Sequence, residues 1–577
     1  MNCIRTLEWG ATDDELFYLI MDDEQRPYQL YRKHLSDPDA KDELIFEEPD
    51  VLFWLGMSKT LDGKYLLVES GSSETSEVWY LDLTDPSSEL KCIRKREFKV
   101  LYDVNHRNGT WWIASNIGGS PNFKVLTAPV SSKSEEWTPV VNPASGKPYF
   151  DGGLDIAVES IDTFQDHVVV EGRQGGIPRV WCLTMGDEDR ITVENCERLE
   201  FPEPAHTVGL GAHLEFDTGG KIVVGYTSLV TPTQSLEIDL TDTTSRTVLK
   251  ERNVPGYDKK LYACDRTTVL SRDGVTEIPV SIVYRKDTMD RIQKGEKVHV
   301  HEYAYGAYGA SEEAAFMATI LPLLNRGYVY VLSHVRGGGE KGRQWYEEPN
   351  GGKYLCKKNT FNDFCDIAKW LIEEKKWTTP DLLSCEGRSA GGLTIGASIN
   401  QSPELFKAAI LGVPFVDVVA TMTDASIPLT AGEWEEVSRC TMLLMSTLSM
   451  ADFSLSHCKY IFIMTIFLLS WQWGEVNCKK YFEYMMSYCP MHNVKDGAKY
   501  PSCLLLGGLH DPRVQYWEPA KFAATLRHHQ GPESGPVCLK IDMSAGHFSA
   551  SDRYKYLKEL AFDYAFLLDQ VGLAVNK

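Results

Sequence analysis

Over the first 250 or so residues, short apolar runs alternate with polar and turn-forming stretches at a repeating interval. Leu16-Phe17-Tyr18, Tyr65-Leu66-Leu67-Val68, Trp111-Trp112-Ile113, Val168-Val169-Val170 and Ile222-Val223-Val224 start about 46 to 57 residues apart. Most are followed by a second run of the same kind, such as Val78-Trp79-Tyr80-Leu81 or Val180-Trp181-Cys182-Leu183. Runs this short, rich in β-branched and aromatic residues, predict strands, and helical periodicity is nearly absent. A period of about 50 residues with several strands per unit predicts propeller blades, with an array of β-sandwiches as the alternative. About five units are visible.

From about residue 260 the pattern changes. Val298 to Tyr303, Tyr328 to Leu332, Leu382 to Cys385 and Ala408 to Leu411 read as buried strands. Helical stretches such as Phe361 to Lys376 and Leu393 to Asn400 lie between them. Strand–helix alternation predicts a doubly wound, mostly parallel α/β sheet, whose active site lies beyond the C-terminal strand ends. The expected division is an all-β propeller over 1–255 and an α/β-hydrolase domain over 256–577.

Candidate chemistry sits at those strand ends. Gly387-Arg388-Ser389-Ala390-Gly391 follows the run Leu382 to Cys385. Asp511 follows Cys503 to Leu506, and His547 follows Val537 to Ile541. The chain order Ser…Asp…His is that of α/β-hydrolases. A serine hydroxyl needs a base within hydrogen-bond reach; His547 can take its proton, and Asp511 can hold the imidazole tautomer. Glycines flanking Ser389 permit a sharp strand-to-helix turn, which places the Ala390 N–H as one oxyanion donor. G-x-S-x-G alone is a weak signal; the ordered Asp and His make it specific.

A length of 577 residues predicts two or more domains. The net charge of −22 argues against nucleic acid and anionic membranes as partners and suits a cationic substrate, although a solvated acidic surface is the simpler source of most of that charge. Fourteen cysteines are scattered without a C-x-x-C pair, so no metal site is predicted. Gly337-Gly338-Gly339 lacks the G-K-[ST] of a phosphate loop. The opening residues have no apolar core of a signal peptide, and a cytoplasmic location is expected.

Residues from about Tyr303 to Leu573 resemble the prolyl oligopeptidase family of serine peptidases, and within it the oligopeptidase B group. The resemblance is carried by Tyr303-Ala304-Tyr305-Gly306-Ala307-Tyr308-Gly309, His334-Val335-Arg336-Gly337-Gly338-Gly339-Glu340, Glu386-Gly387-Arg388-Ser389-Ala390-Gly391-Gly392, Val413-Pro414-Phe415-Val416-Asp417-Val418-Val419, Ile427-Pro428-Leu429-Thr430, Asp511-Pro512-Arg513-Val514 and Ala545-Gly546-His547-Phe548. It implies a propeller-capped α/β-hydrolase that cuts short peptides after Arg or Lys without metal or cofactor. Ser389, Asp511 and His547 are then the triad, and Tyr305 supplies the second oxyanion donor through its hydroxyl. Arg513 holds the substrate main-chain carbonyl, Phe415 stacks on the basic side chain, and Glu433 and Glu435 grip its charge. Glu313 matches a second acidic subsite whose usual partner position is Ala315 here. Without the resemblance, Tyr305 is an ordinary half-buried aromatic, and the acidic cluster Gly432-Glu433-Trp434-Glu435-Glu436 is a solvated face. A prolyl-type oligopeptidase or an esterase on the same fold, and a binding homologue inactivated by the two departures described next, are the alternative functions.

Two features depart from that pattern. Residues 437–472 separate Glu436 from Trp473-Gly474, which the family joins directly. The segment contains Ile461-Phe462-Ile463-Met464-Thr465-Ile466-Phe467-Leu468-Leu469, too short to span a bilayer. It reads as a retained intron: Val437 can supply a donor GT, Gln472 an acceptor AG, and 36 codons keep the frame. A genuine insertion is the alternative. The family also carries a stretch before the propeller, so an N-terminally truncated propeller, short of about two blades, is expected.

Overall fold

A computed structural model describes residues 4–22, 26–37, 39, 41–72, 74–132, 136–186, 192–424, 427, 478–547 and 553–573. The acidic cluster holding Glu433 and Glu435, and the segment 437–472, lie outside the described residues. The chain divides into two compact units. The first comprises Met1–Phe201, Thr207–Tyr226 and Gln234–Glu251; the second comprises Arg252–Lys577 with the short pieces Pro202–His206 and Thr227–Thr233.

Among the described residues the first unit holds five four-stranded antiparallel sheets, each built from consecutive strands. The five apolar runs that mark the sequence period all fall on the second strand of a sheet: Glu15–Met21, Tyr65–Gly71, Thr110–Ser115, His167–Gln174 and Lys221–Ser228. Their continuity has a packing cause. Side chains alternate between the faces of a strand, and an inner sheet is covered on both. Val168 and Val170 of the fourth sheet pack with Trp112, Ala114 and Val125 of the third. Val169 points the other way, into a cluster with Ile222, Val224 and Leu236 of the fifth. Leu66 and Val68 likewise join Phe17 and Leu19, while Leu67 joins Trp111 and Ile113. Sheets stacked face on face through each inner strand are propeller-like blades; isolated sandwiches are not formed.

The second unit is built on one eight-stranded sheet. In chain order its strands are β1 (Tyr262–Leu270), β2 (Glu277–Arg285), β3 (His299–Tyr303), β4 (Tyr328–Ser333), β5 (Leu383–Arg388), β6 (Ala408–Gly412), β7 (Ser502–Gly508) and β8 (Val537–Asp542). Their spatial order is 1-2-4-3-5-6-7-8. β1 and β2 are antiparallel, β2 runs against β4, and β3 to β8 are all parallel. Both faces of the parallel part are covered. Ala409 and Leu411 face a core with Phe364, Ile395 and Leu505. Ala408 and Ile410 face Tyr564 and Leu567 of the last helix, Arg553–Gln570. This is the mostly parallel α/β-hydrolase sheet expected from the sequence, with an antiparallel pair at one edge.

Candidate active site

Ser389 stands between the end of β5 and the helix Ala390–Gln401. Its backbone adopts φ 56 and ψ −120, a conformation that a side chain makes costly, about 1–3 kcal/mol. Hydrogen bonds hold it there: the Ser389 N–H donates to Gly412 O at 2.8 Å, and Phe415 N–H donates to Ser389 O at 3.1 Å. Two glycines make the turn possible. A Cβ on Gly387 would lie 2.3 Å from Gly391 O, and one on Gly391 would lie 2.8 Å from Ala304 O. Gly387→Ala is therefore expected to lower stability by about 1–3 kcal/mol through overpacking and to slow turnover. Thermal melting and peptide hydrolysis on the same sample check this.

The sequence-predicted partners converge on that serine. His547 Nε2 lies 3.1 Å from Ser389 Oγ, and His547 Nδ1 lies 2.7 Å from Asp511 Oδ2. Asp511 is almost fully buried, and its other oxygen accepts the N–H groups of Arg513 at 2.8 Å and Val514 at 3.0 Å. All the acceptor capacity on that side is directed by backbone, so the carboxylate cannot rotate away from the imidazole. The arrangement can relay a proton from a serine hydroxyl to an imidazole that a carboxylate orients. Ala390 opens its helix, where backbone N–H groups have no intrahelical acceptor.

A cavity of about 430 Å³ opens on this group. Ser389, His547, Tyr305, Arg513 and Glu312 all line it. Phe415 instead sits in an apolar cluster with Phe361, Leu393, Val418 and Tyr488. Glu313 is half-buried on the turn that carries Glu312 and Ala315.

Several polar groups around the site have no signal in the sequence. Burial, with the charges of Glu340 and Glu313, pushes the Glu312 carboxyl up to about 7. Glu518 is fully buried and accepts from Val416 N, Asp417 N and Thr421 Oγ1 at 2.9, 2.9 and 2.8 Å; burial pushes it up to about 7. It thereby pins the segment that follows Phe415. Arg388, next to the serine, binds Glu386 at 3.0 Å and Asp563 at 2.9 Å. Burial opposes ionisation of Glu386, but Arg388 and His301 overcome it and hold that carboxyl at about 2.

Two family descriptions between them match most of the chain. The family described as "Prolyl oligopeptidase, N-terminal beta-propeller domain" matches residues 2–252. "Prolyl oligopeptidase family" matches 314–441 and 451–574, and the break falls inside the segment 437–472. Protease 2 of Moraxella lacunata is 34% identical over 573 residues, covering 99% of this chain and 73% of that protein. Dipeptidyl aminopeptidase BI of Pseudoxanthomonas mexicana is 35% identical over 576 residues, covering 99% and 70%. Among solved structures, oligopeptidase B from Trypanosoma brucei with covalently bound antipain superimposes with a TM-score of 0.80 at 36% identity, covering 99% of this chain and 73% of that one.

Proposed function

Because the chain belongs to the prolyl oligopeptidase family of serine peptidases, we propose that it hydrolyses short peptides after Arg or Lys through an acyl-enzyme on Ser389. The observation that carries the hydrolytic part is the Ser389–His547–Asp511 relay, at 3.1 and 2.7 Å. Ser389 Oγ attacks the scissile carbonyl as its proton passes to His547 Nε2. The Ala390 N–H and the Tyr305 hydroxyl receive the oxyanion. Collapse of the tetrahedral intermediate breaks the C–N bond, and the leaving amine takes the proton from His547. Water then repeats the sequence on the ester and regenerates the serine.

The preference for a basic residue rests on Glu433 and Glu435 and on the likeness to oligopeptidase B. A carboxylate pairs a guanidinium in two-pronged fashion, and such a charge-assisted pair outweighs a neutral contact. Fluorogenic peptides that differ only in carrying Arg, Lys, Pro or a neutral residue before the cut test this. Glu433→Gln is expected to raise KM for the Arg peptide about ten-fold and to leave the neutral peptide little changed. A wild-type preference for Pro would overturn the basic specificity.

A second reading is favoured by Glu312, a half-buried carboxylate on the cavity wall. It could take the free ammonium of a peptide N-terminus, and removal of N-terminal dipeptides would follow. Blocking the N-terminus of the same Arg peptide separates the two: an internal cleaver tolerates the block, and an aminopeptidase loses its substrate.

A further inference from the structure

Lys357 is a fully buried lysine: its residue exposure is 0%. Burial pushes the amine down to about 7. Fully buried lysines are rare because the charged form loses its hydration, so such a position calls for a local use. The use visible here is a backbone contact across 51 residues: Lys357 Nζ donates to the Gly306 carbonyl. Gly306 directly follows Tyr305.

The surroundings fix the same turn from other sides. Thr394, on the helix Ala390–Gln401 that follows Ser389, donates its hydroxyl to the Tyr305 carbonyl at 2.9 Å. Thr360 donates to the Arg336 carbonyl at 2.6 Å and stands 3.4 Å from Gly306 O. Gly306 has φ +72, and a Cβ there would lie 2.5 Å from Thr360 Cγ2 and 2.7 Å from Val335 Cγ2. Two successive carbonyls, of Tyr305 and Gly306, are thus held by side chains from two different parts of the fold. Thr394 ties the turn to the nucleophile's helix. Lys357, just ahead of the helix Lys358–Lys369, ties it to the start of that helix.

We propose that Lys357 is a positioning residue for Tyr305: by holding the Gly306 carbonyl it sets the backbone of the 305–306 turn so that the tyrosine hydroxyl meets the developing oxyanion. The proposal rests on the role given to Tyr305 above. Oxyanion stabilisation depends on donors already in place when charge develops, and a misplacement of about 1 Å costs up to 100-fold in rate. A tyrosine reaches its target through a long side chain, so a small tilt of its backbone moves the hydroxyl by more than that of the backbone itself. Removing the lysine therefore weakens the transition state and spares ground-state binding.

The test uses the full chain and the variants Lys357→Met, Tyr305→Phe and the double variant. Two rates are read on each: labelling of Ser389 by a fluorophosphonate, and kcat and KM for the Arg peptide. Lys357→Met is expected to slow labelling and kcat about 10- to 100-fold with KM within about two-fold of wild type. On the Tyr305→Phe background the same change should add less than about two-fold, because the hydroxyl it positions is gone. Unchanged rates in Lys357→Met, or an equal loss on both backgrounds, would overturn the proposal. Tyr305→Phe labelling as fast as wild type would sink the role of Tyr305 and the positioning of it together. Phosphonate labelling of an enzyme that ignores the Arg peptide would sink only the substrate reading and leave the Lys357 comparison intact. Where the methionine variant does not melt near wild type, Lys357→Leu, which likewise has no donor, carries the same comparison.

Discussion

Ser389→Ala is expected to lower kcat by about a million-fold while the protein stays folded. The hydroxyl is the group that forms the covalent bond, and His547 Nε2 is aimed at it from 3.1 Å. With only a methyl group there, the imidazole has no nucleophile to deprotonate. What remains is the oxyanion pocket and substrate binding, worth about 10³–10⁴ over water in comparable triads. Stability should change little. The unusual φ 56 at residue 389 is imposed by the hydrogen bonds to Gly412 and Phe415, and these are backbone bonds that alanine keeps. Single-turnover hydrolysis, phosphonate labelling and a melting curve on one preparation check this. Residual turnover within about a hundred-fold of wild type would mean that another group carries the chemistry.

How much of this was legible in the sequence follows from which surfaces are covered. The parallel strands β4 and β6 are buried on both faces, so they appear as unbroken apolar runs. The inner blade strands are legible for the same reason, stacked between two neighbouring sheets. The outer blade strands are not: Glu43–Glu47 and Asp242–Glu251 face solvent along most of their length and read as polar turns. The hairpin of β1 and β2 also escapes notice. β1 alternates exposed and buried residues without a strong stripe, and β2 contains Pro279, which argues against a strand.

The triad was legible because each member follows its own strand in a fixed order. The groups that support it were not. Arg388 meets Asp563 across 175 residues, and Glu518 meets Val416 across 102. In a linear sequence those carboxylates look like surface charge, and only the fold makes them buried acceptors. Glu312 and Glu313 are adjacent and chemically alike; it is the course of the turn that puts Glu312 on the cavity wall. A residue such as Lys357 is the hardest to anticipate, since lysine is the side chain least expected in a core.

Asp511→Asn is expected to cost about 10⁴-fold in kcat with little change in KM, and the reason lies in the backbone of the Asp511 loop. A carboxylate accepts on both oxygens: one from the N–H groups of Arg513 and Val514, the other from His547 Nδ1. An amide has one acceptor and one donor end, so it must choose. Facing its NH₂ toward two backbone donors would bury a donor–donor clash on both. The amide oxygen therefore turns to the backbone, and its NH₂ points at His547 Nδ1. That nitrogen must then be the acceptor, and the ring's proton moves to Nε2, facing Ser389 Oγ. An imidazole in this tautomer cannot take the serine proton. The variant should also lose the favourable charge beside the imidazolium that forms during attack. Turnover and phosphonate labelling should fall together, because both need a deprotonated serine, while a reversible peptide ligand should bind as before. Substitution with glutamate is no rescue, since the extra methylene would displace the carboxylate from both backbone donors. A loss in Asp511→Asn of less than about ten-fold would mean that His547 keeps its tautomer without the carboxylate, and that the loop's hydrogen bonds do not dictate the direction of the side chain.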